Sequence, residues 1–162
     1  MKKTKILMVC LGNICRSPMA EAIFSHLVAE AGLSDQITID SAATSPWEIG
    51  KTIHEGANER LQALGIPTPK RVARQLDIED IKADYIIGMD EPNLRAINYL
   101  IGARPSGEVN MLLHYAGEET QIADPWYTED FDTAFSEIYR GCQALLAHIQ
   151  SRHSFNQEAP SI

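Results

Sequence analysis

Two cysteines, an arginine and a serine lie within the eight-residue stretch CLGNICRS, which runs from Cys10 to Ser17. The guanidinium of Arg16 offers a planar fork of N–H donors that suits two oxygens of a tetrahedral oxyanion. Gly12 and Asn13 tolerate unusual backbone angles, so the loop can curl and point several N–H groups at one centre. The same donors stabilise a thiolate, and the stretch therefore predicts a nucleophilic Cys10 beneath a cradle shaped for phosphate.

The elements that must position this stretch are a strand before it and a helix after it. Lys5–Cys10 has the apolar run of a buried strand, Ser17 is a favoured N-cap residue, and Pro18 suits the first helical position. A helix N-terminus presents free backbone N–H groups and the positive end of the helix dipole. The sequence therefore predicts an anion-binding loop between the first strand and the first helix.

Strands and helices alternate along the rest of the chain. The further predicted strands cover 37–41, 84–88 and 108–113, and the further helices cover 52–64, 77–81, 91–101 and a long segment from about Asp132. Thr52 to Glu55 has the spacing of a capping box, Asp90 can cap the helix that follows it, and Asp124 to Tyr127 is expected in a loop.

This alternation predicts an α/β fold, a doubly wound four-stranded parallel sheet with helices on both faces and a phosphate-binding loop after strand 1. Ligands of such sheets bind outside the carboxyl ends of the strands. The loop that begins at Cys10 lies at one of those ends, so the fold and the chemistry point to the same place.

The composition sets limits on the class of protein. The 162 residues suit one domain, for which we predict bounds of 1–153, followed by a flexible tail over 154–162. The net charge of −8 argues against general nucleic-acid binding, and no apolar run reaches the length of a membrane span. Three cysteines without disulfide-framework spacing, and no visible signal peptide, favour a reducing, cytoplasmic setting.

Other anion and metal sites do not fit the sequence. The phosphate loop GxxxxGK[ST] and the dinucleotide fingerprint GxGxxG are both absent. Cys10 and Cys15 have no accompanying pair of histidines with zinc-ligand spacing. We therefore expect neither a metal nor a cofactor.

The residues from Cys10 to Ser17 match the C-x5-R-[ST] signature of protein tyrosine phosphatases. The position of this motif after the first strand, with Asp124-Pro125 far downstream, resembles the low-molecular-weight family, since in the larger phosphatases the acid precedes the cysteine. The likeness to that family runs from about Lys5 to Gln150. Further segments that resemble the family are 40–45, 72–75, 84–87, 89–91 and 124–127.

The resemblance implies a catalytic mechanism. Cys10 would attack phosphorus and form a phosphocysteine, while Arg16 and the loop N–H groups hold the three equatorial oxygens. Asp124 would protonate the departing phenolate and then take a proton from the attacking water. The residues expected to contact the substrate belong to the loop and to aromatic walls that favour phosphotyrosine over phosphoserine: Leu11, Gly12, Asn13, Ile14, Cys15, Ser17, Trp47, Trp126 and Tyr127.

The implied partners are a tyrosine-phosphorylated protein, for which a tyrosine kinase is one candidate, and inorganic phosphate or a similar oxyanion in the loop. Two other functions stay open. An arsenate reductase shares this fold, but it uses two further cysteines, and the C-terminal half holds only Cys142. A non-catalytic phosphotyrosine- or phosphate-binding module would need neither the nucleophile nor the acid.

Several residues have two interpretations. Cys15 is either a passive loop thiol or a redox partner of Cys10. Ser17 is either a helix cap or a donor to the thiolate, and Asn13 with Ser41 is expected to brace the loop. Arg71 stands where relatives commonly carry a histidine that supports the loop asparagine, which leaves the support of Asn13 in question.

Overall fold

A computed structural model describes residues 3–102 and 107–155. Four parallel strands form one sheet in the order β2-β1-β3-β4; they are β1 (Thr4–Cys10), β2 (Ile37–Ala43), β3 (Tyr85–Gly88) and β4 (Glu108–Met111). Within the described ranges the helices are α1 (Arg16–Glu30), α2 (Glu55–Ala63), α3 (Glu91–Ile101), α4 (Pro125–Thr128) and α5 (Phe131–Arg152). Two 3₁₀ segments, Ile78–Lys82 and Leu112–Ala116, join them. The predicted α/β fold is confirmed.

Both faces of the sheet are covered, as a parallel sheet requires. Alternate side chains of β1 point to opposite faces, so Ile6 and Met8 join the cluster that contains α1 and α5. Leu7 and Val9 pack on the other face in a smaller cluster, which includes Ile97 of α3. All four of these strand residues are fully buried, which explains why the first strand reads as an uninterrupted apolar run.

The order of the strands determines where the ligand-binding crevice of the sheet lies. β1 pairs with β2 on one side and with β3 on the other, so the chain reverses its direction of travel across the sheet next to β1. Ligands of open α/β sheets bind at such a switch point, outside the carboxyl ends of the strands. Cys10 is the last residue of β1, paired with Ala43, and the loop that follows it opens into this crevice.

The first helix begins earlier than the sequence indicates. α1 starts at Arg16 with Cys15 at the N-cap position, so the prediction of Ser17 as the N-cap is wrong. The hydroxyl of Ser17 is instead 3.0 Å from Cys10 Sγ and accepts a hydrogen bond from the side chain of Asn13. Contacts with the preceding loop have replaced the local cap.

The second helix begins later than predicted. α2 starts at Glu55, and His54 caps it by accepting a hydrogen bond at Nδ1 from the N–H of Gly56 at 3.0 Å. The capping box from Thr52 is therefore wrong. The N–H of His54 donates to the carbonyl of Ile14 at 2.7 Å, so a tertiary contact with the first loop sets where the helix starts.

The C-terminal third differs from the predictions in detail. Residues 125–127, expected in a loop, belong to the short helix α4 (Pro125–Thr128), which follows Asp124. α5 starts at Phe131, capped by Asp130, and β4 ends at Met111 because the next residues turn into a 3₁₀ segment packed under α5. Among the described residues, no helix is long and apolar enough to span a bilayer. The proposed boundary after residue 153 stays a prediction, and 156–162 lie outside the described residues.

Candidate active site

The sulfur of Cys10 lies at the centre of a ring of donors. The backbone N–H groups of Asn13 and Ser17 donate to it at 3.3 and 3.4 Å, and Ser17 Oγ is 3.0 Å away. Ser17 Oγ already accepts from Asn13 Nδ2, which leaves its own proton for the sulfur. Several partial positive charges therefore converge on one buried atom, which stabilises a negative charge there.

Asn13 shapes the loop that carries these donors. Its φ of 60° puts it in the left-handed region, and it is fully buried. Its Nδ2 donates to Ser17 Oγ at 2.8 Å and to Ser41 Oγ at 2.9 Å, while its Oδ1 accepts from the N–H of Arg74 at 3.2 Å. Asn13 therefore meets the sulfur with its backbone N–H while its side chain braces the loop, and Ser17 meets the sulfur with both its N–H and its hydroxyl.

Arg71 supplies the support of Asn13 that the sequence left in question. Its Nη2 donates to the backbone carbonyl of Asn13 at 2.8 Å and also to Asn13 Oδ1. Its Nε is 4.0 Å from Glu21, whose carboxylate accepts a hydrogen bond from Ser41. Burial lowers the pKa of Arg71 and raises the pKa of Glu21. The loop is thereby tied to α1 and β2 through one buried polar network.

Arg16 is held from behind by two acceptors. Its side chain is 2% exposed, and Nη1 donates to Asp90 Oδ2 at 2.7 Å and to the carbonyl of Ile122 at 2.8 Å. Burial lowers the pKa of Arg16, but the charges of Cys10 and Asp90 outweigh it and the pKa lies above its ordinary value. Nε is buried and has no hydrogen-bond partner among the described residues, so this donor is unpaired.

Sequence reasoning took Asp90 only as a helix cap, yet it has two roles in the structure. Its Oδ1 accepts from the N–H of Asn93 at 2.8 Å and caps α3, while its Oδ2 holds Arg16. The available signal was its position: Asp90 follows β3, whose carboxyl end adjoins that of β1 in a parallel sheet.

Asp124 reaches the same crevice from the far end of the chain. Its Oδ1 accepts from the N–H of Trp126 at 3.0 Å and caps α4, and its Oδ2 lies 3.5 Å from Nη2 of Arg16. The cap fixes the carboxylate at the rim of the cleft. The cleft is lined by loop residues, two carboxylates and aromatic side chains: Cys10, Leu11, Gly12, Ile14, Cys15, Trp47, Glu48, Asp124, Trp126 and Tyr127.

Three comparisons with known proteins bear on this geometry. The sequence model of a family described as low molecular weight phosphotyrosine protein phosphatase matches residues 5–155. The chain is 43% identical over 148 residues to the low molecular weight protein-tyrosine-phosphatase YfkJ of Bacillus subtilis, covering 90% of this chain and 95% of that protein.

The chain belongs to the low molecular weight phosphotyrosine protein phosphatase family. The crystal structure of YfkJ superposes with a TM-score of 0.90 at 40% identity, covering 95% of this chain and 99% of that one. The Drosophila arginine phosphatase DARP superposes with a TM-score of 0.84 at 31% identity, covering 94% and 100% of the two chains. The predicted family is confirmed.

Within this phosphatase family site, the cysteines differ in environment. Burial, reinforced by the charges of Cys10 and Asp124, raises the pKa of Cys15 to about 12, so Cys15 is a thiol at neutral pH. Cys142 is in the core, where burial raises its pKa and its sulfur contacts the carbonyl of Ala20 at 3.7 Å. All three cysteines are free, and residues 3–102 and 107–155 contain no group of three or more His, Cys, Asp or Glu side chains placed to hold a metal ion.

The aromatic residues predicted as walls all stand at the rim of the cleft. Trp47, Trp126 and Tyr127 are 70%, 51% and 70% exposed, although large aromatic side chains are usually well buried. Glu48, which follows Trp47 in the loop after β2, also lines the cleft.

Proposed function

We propose that this protein hydrolyses phosphotyrosine in proteins, with Cys10 as the nucleophile, Arg16 as the oxyanion ligand and Asp124 as the general acid and base. The observation that carries the proposal is the position of Cys10 Sγ, which is surrounded by donors at 3.0–3.4 Å in a cleft that Asp124 also lines. A module that only bound phosphate would need neither a sulfur surrounded by hydrogen-bond donors nor an aspartate in the same cleft.

In the first step, the sulfur of Cys10 attacks phosphorus, an S–P bond forms and the P–O bond to the aryl group breaks. The loop N–H groups and Arg16 hold the three equatorial oxygens as charge shifts onto them. Asp124 transfers its proton to the departing phenolate. The orphaned Nε of Arg16 supplies one of the donors that this step requires.

In the second step, water attacks the phosphocysteine, a new P–O bond forms and the S–P bond breaks. Asp124 accepts the proton of the water, phosphate leaves and the thiolate is restored. Because the loop dipoles and Arg16 supply the positive charge, the reaction as proposed needs no metal ion and no cofactor.

The aromatic rim supports a preference for aryl phosphates. Trp47, Trp126 and Tyr127 can flank a phenyl ring, and a phosphoserine side chain is too short to carry its phosphate past them to Cys10. The proposed partner is therefore a tyrosine-phosphorylated protein, with a tyrosine kinase as one candidate. The free cysteines support a reducing, cytoplasmic setting.

The test compares wild type, Cys10→Ser and Asp124→Asn on p-nitrophenyl phosphate and phenyl phosphate in the presence of EDTA. Wild type should hydrolyse both, and Cys10→Ser should lose more than about 10³-fold in kcat. Asn at 124 can still accept from the N–H of Trp126 but cannot give a proton. We therefore expect Asp124→Asn to lose about 10²- to 10⁴-fold on phenyl phosphate and clearly less on p-nitrophenyl phosphate.

Thermal unfolding of the two variants confirms that they are folded. Full activity of Cys10→Ser, or loss of wild-type activity in EDTA, would contradict the mechanism, and equal losses of Asp124→Asn on both esters would remove its role as the acid. Peptides that carry phosphoserine or phosphoarginine test the aryl preference. Either one turned over as fast as the phosphotyrosine peptide would contradict it.

A further inference from the structure

A second groove adjoins the active-site cleft. It is lined by His54, Pro125, Trp126, Glu129 and Phe131, has a volume of ≈ 480 Å³, and is called the flanking groove below. Trp126 lines both the flanking groove and the cleft, so the two depressions lie beside the same side chain. A polypeptide that presents phosphotyrosine to the cleft and continues past Trp126 would meet the flanking groove.

A row of three rings forms one side of the flanking groove. The ring of His54 meets that of Trp126 edge-on, with centroids 5.7 Å apart, and stacks on that of Phe131 at 5.0 Å. The row is firmly held, because a Cβ on Gly56 would come within 2.7 Å of the Phe131 ring and the N–H of His54 is bonded to Ile14. Aromatic faces of this kind bind aliphatic stems and cationic heads, above all those of arginine.

Glu129 provides the charge of the flanking groove. It is exposed, and its carboxylate makes no hydrogen bond or ion pair with any residue in 3–102 or 107–155. Its φ is 61°, a backbone conformation that favours glycine, yet the sequence carries a carboxylate there. No lysine or arginine is among the described residues that line the flanking groove, and Arg60 is already paired with Asp132 at 2.9 Å.

We propose that the flanking groove binds a basic side chain, preferably arginine, that lies one or two residues from the phosphotyrosine of the substrate polypeptide. The stem would lie along Trp126, His54 and Phe131, and the guanidinium would pair with Glu129. This inference rests on the proposed phosphotyrosine phosphatase activity. An extended chain advances about 3.3–3.6 Å per residue, so a neighbour one or two positions away reaches past a single indole ring.

The charge of the flanking groove also predicts which residues next to the phosphotyrosine bind poorly. An acidic neighbour would face Glu129 at short range, and a neutral polar neighbour would gain contact with the rings but no ion pair. Arginine and citrulline separate these contributions, because the two side chains have nearly the same shape and differ in charge.

The experiment measures kcat/KM on phosphotyrosine peptides with Arg, citrulline, Ala or Glu at the positions −2, −1, +1 and +2. At low salt we expect the Arg peptide to exceed its citrulline partner by about five- to tenfold at one or more of these positions, with Glu the poorest. The difference should shrink at high salt, because the pair is at the surface. p-Nitrophenyl phosphate, which has no flanking residues, is the reference substrate.

Two variants test Glu129 itself. Glu129→Gln keeps the size of the side chain, and Glu129→Gly suits the left-handed backbone. Because the two changes affect the fold in different ways, an effect that both share can be assigned to the lost charge. Each should reduce the Arg-to-citrulline ratio to about twofold or less, because the ion pair is lost. Glu59→Gln is the matched control, since it removes the same charge from an exposed position on α2 outside the flanking groove and should keep the wild-type ratio.

Each other result has a definite meaning. The inference is overturned if kcat/KM is equal for Arg and citrulline at all four positions, or if the Arg preference survives in both Glu129 variants. In either case, hydrolysis of the Ala peptide would still uphold the proposed function. No hydrolysis of any peptide or of p-nitrophenyl phosphate overturns both. A kcat/KM that changes with enzyme concentration, without a peptide preference, would assign this face to a second copy of the chain and overturn the inference.

Discussion

At the scale of single residues, the geometry of the loop depends on Asn13 and on the side chain that holds it. A left-handed backbone conformation at a residue other than glycine costs free energy and persists when the surroundings hold it in place. Arg71 binds two of them, the backbone carbonyl and Oδ1. Because a guanidinium keeps its charge at all pH values relevant to the protein, this support does not switch off by deprotonation.

Replacing Arg71 by Met should therefore impair catalysis without touching the substrate. The methionine keeps an aliphatic stem but leaves two acceptors of Asn13 without this donor, and Glu21 without its cation. We expect kcat on p-nitrophenyl phosphate to fall roughly tenfold and stability to fall by about 1–3 kcal/mol. Steady-state kinetics and urea unfolding measure the two effects.

The control for this variant is Arg95→Met, which removes a guanidinium from an exposed position on α3 and should change neither quantity. Arg71→His should recover part of the lost kcat, because an imidazole N–H can donate to Asn13. An unchanged kcat in Arg71→Met would show that Asn13 holds the loop without help from Arg71.

At the scale of elements, the packing of α5 keeps the C-terminal half of the chain on the sheet. Gly141 allows α5 to approach the 3₁₀ segment Leu112–Ala116, and a Cβ at Gly141 would lie 2.6 Å from Cγ of Leu112. Leu112 is fully buried and cannot move toward solvent.

Gly141→Ala should therefore destabilise the protein, although alanine normally favours a helix over glycine by about 1 kcal/mol. Overpacking against Leu112 should outweigh that gain and leave a net loss of about 1–3 kcal/mol in the free energy of unfolding. Urea unfolding measures the change. Gln143→Ala, at an exposed position of α5, is the control and should stay within about 0.5 kcal/mol of wild type. A Gly141→Ala protein as stable as wild type would contradict the close packing.

At the scale of the whole molecule, the protein is acidic, with a net charge of −8, while the atoms around the sulfur of Cys10 are donors. Long-range attraction of phosphorylated substrates is therefore absent, and recognition depends on short-range contacts in the cleft and the flanking groove. The buried network from Glu21 through Ser41 to Asn13 joins α1, β2 and the loop, so titration of Glu21 also affects global stability.

The contribution of Glu21 to stability should decrease as pH rises. Burial raises its pKa above the ordinary value of 4.5, so above pH 4.5 the folded state keeps a proton that the unfolded chain has lost. The free energy of unfolding then falls with pH until the raised folded pKa is passed. The difference in unfolding free energy between wild type and Glu21→Gln should therefore decrease from pH 4.5 upward, as urea unfolding at several pH values would measure.

Glu118 is a control of opposite sign. A hydrogen bond from Arg140 lowers its pKa, so its contribution is present above pH 4.5 and is lost as pH falls through the lowered value. The difference between wild type and Glu118→Gln should thus increase with pH below about 4.5. A difference for Glu21→Gln that stays constant or increases with pH would show that Arg71 outweighs the burial of Glu21.

The sequence by itself determined the fold class, the family and the position of the sulfur. Alternating strands and helices, an apolar first strand and a motif that runs into a helix are local features, and local sterics and hydrogen bonding decide them within a few residues. The motif also put Arg16 at the junction of the loop and that helix, and the pair Asp124-Pro125 marked the distant residue proposed as the acid.

The tertiary structure alone decided how these groups are held. Asp90 and Arg16 are 74 residues apart in the chain, Arg71 and Asn13 are 58 apart, and no local pattern reveals which partner a buried donor selects. The starts of α1 and α2 also differ from the predicted ones, because the hydroxyl of Ser17 contacts Cys10 and the N–H of His54 is bonded to Ile14 of the loop. A buried polar group needs a hydrogen-bond partner, and the tertiary fold supplies that partner from residues that are close in space, however far apart they are in the sequence.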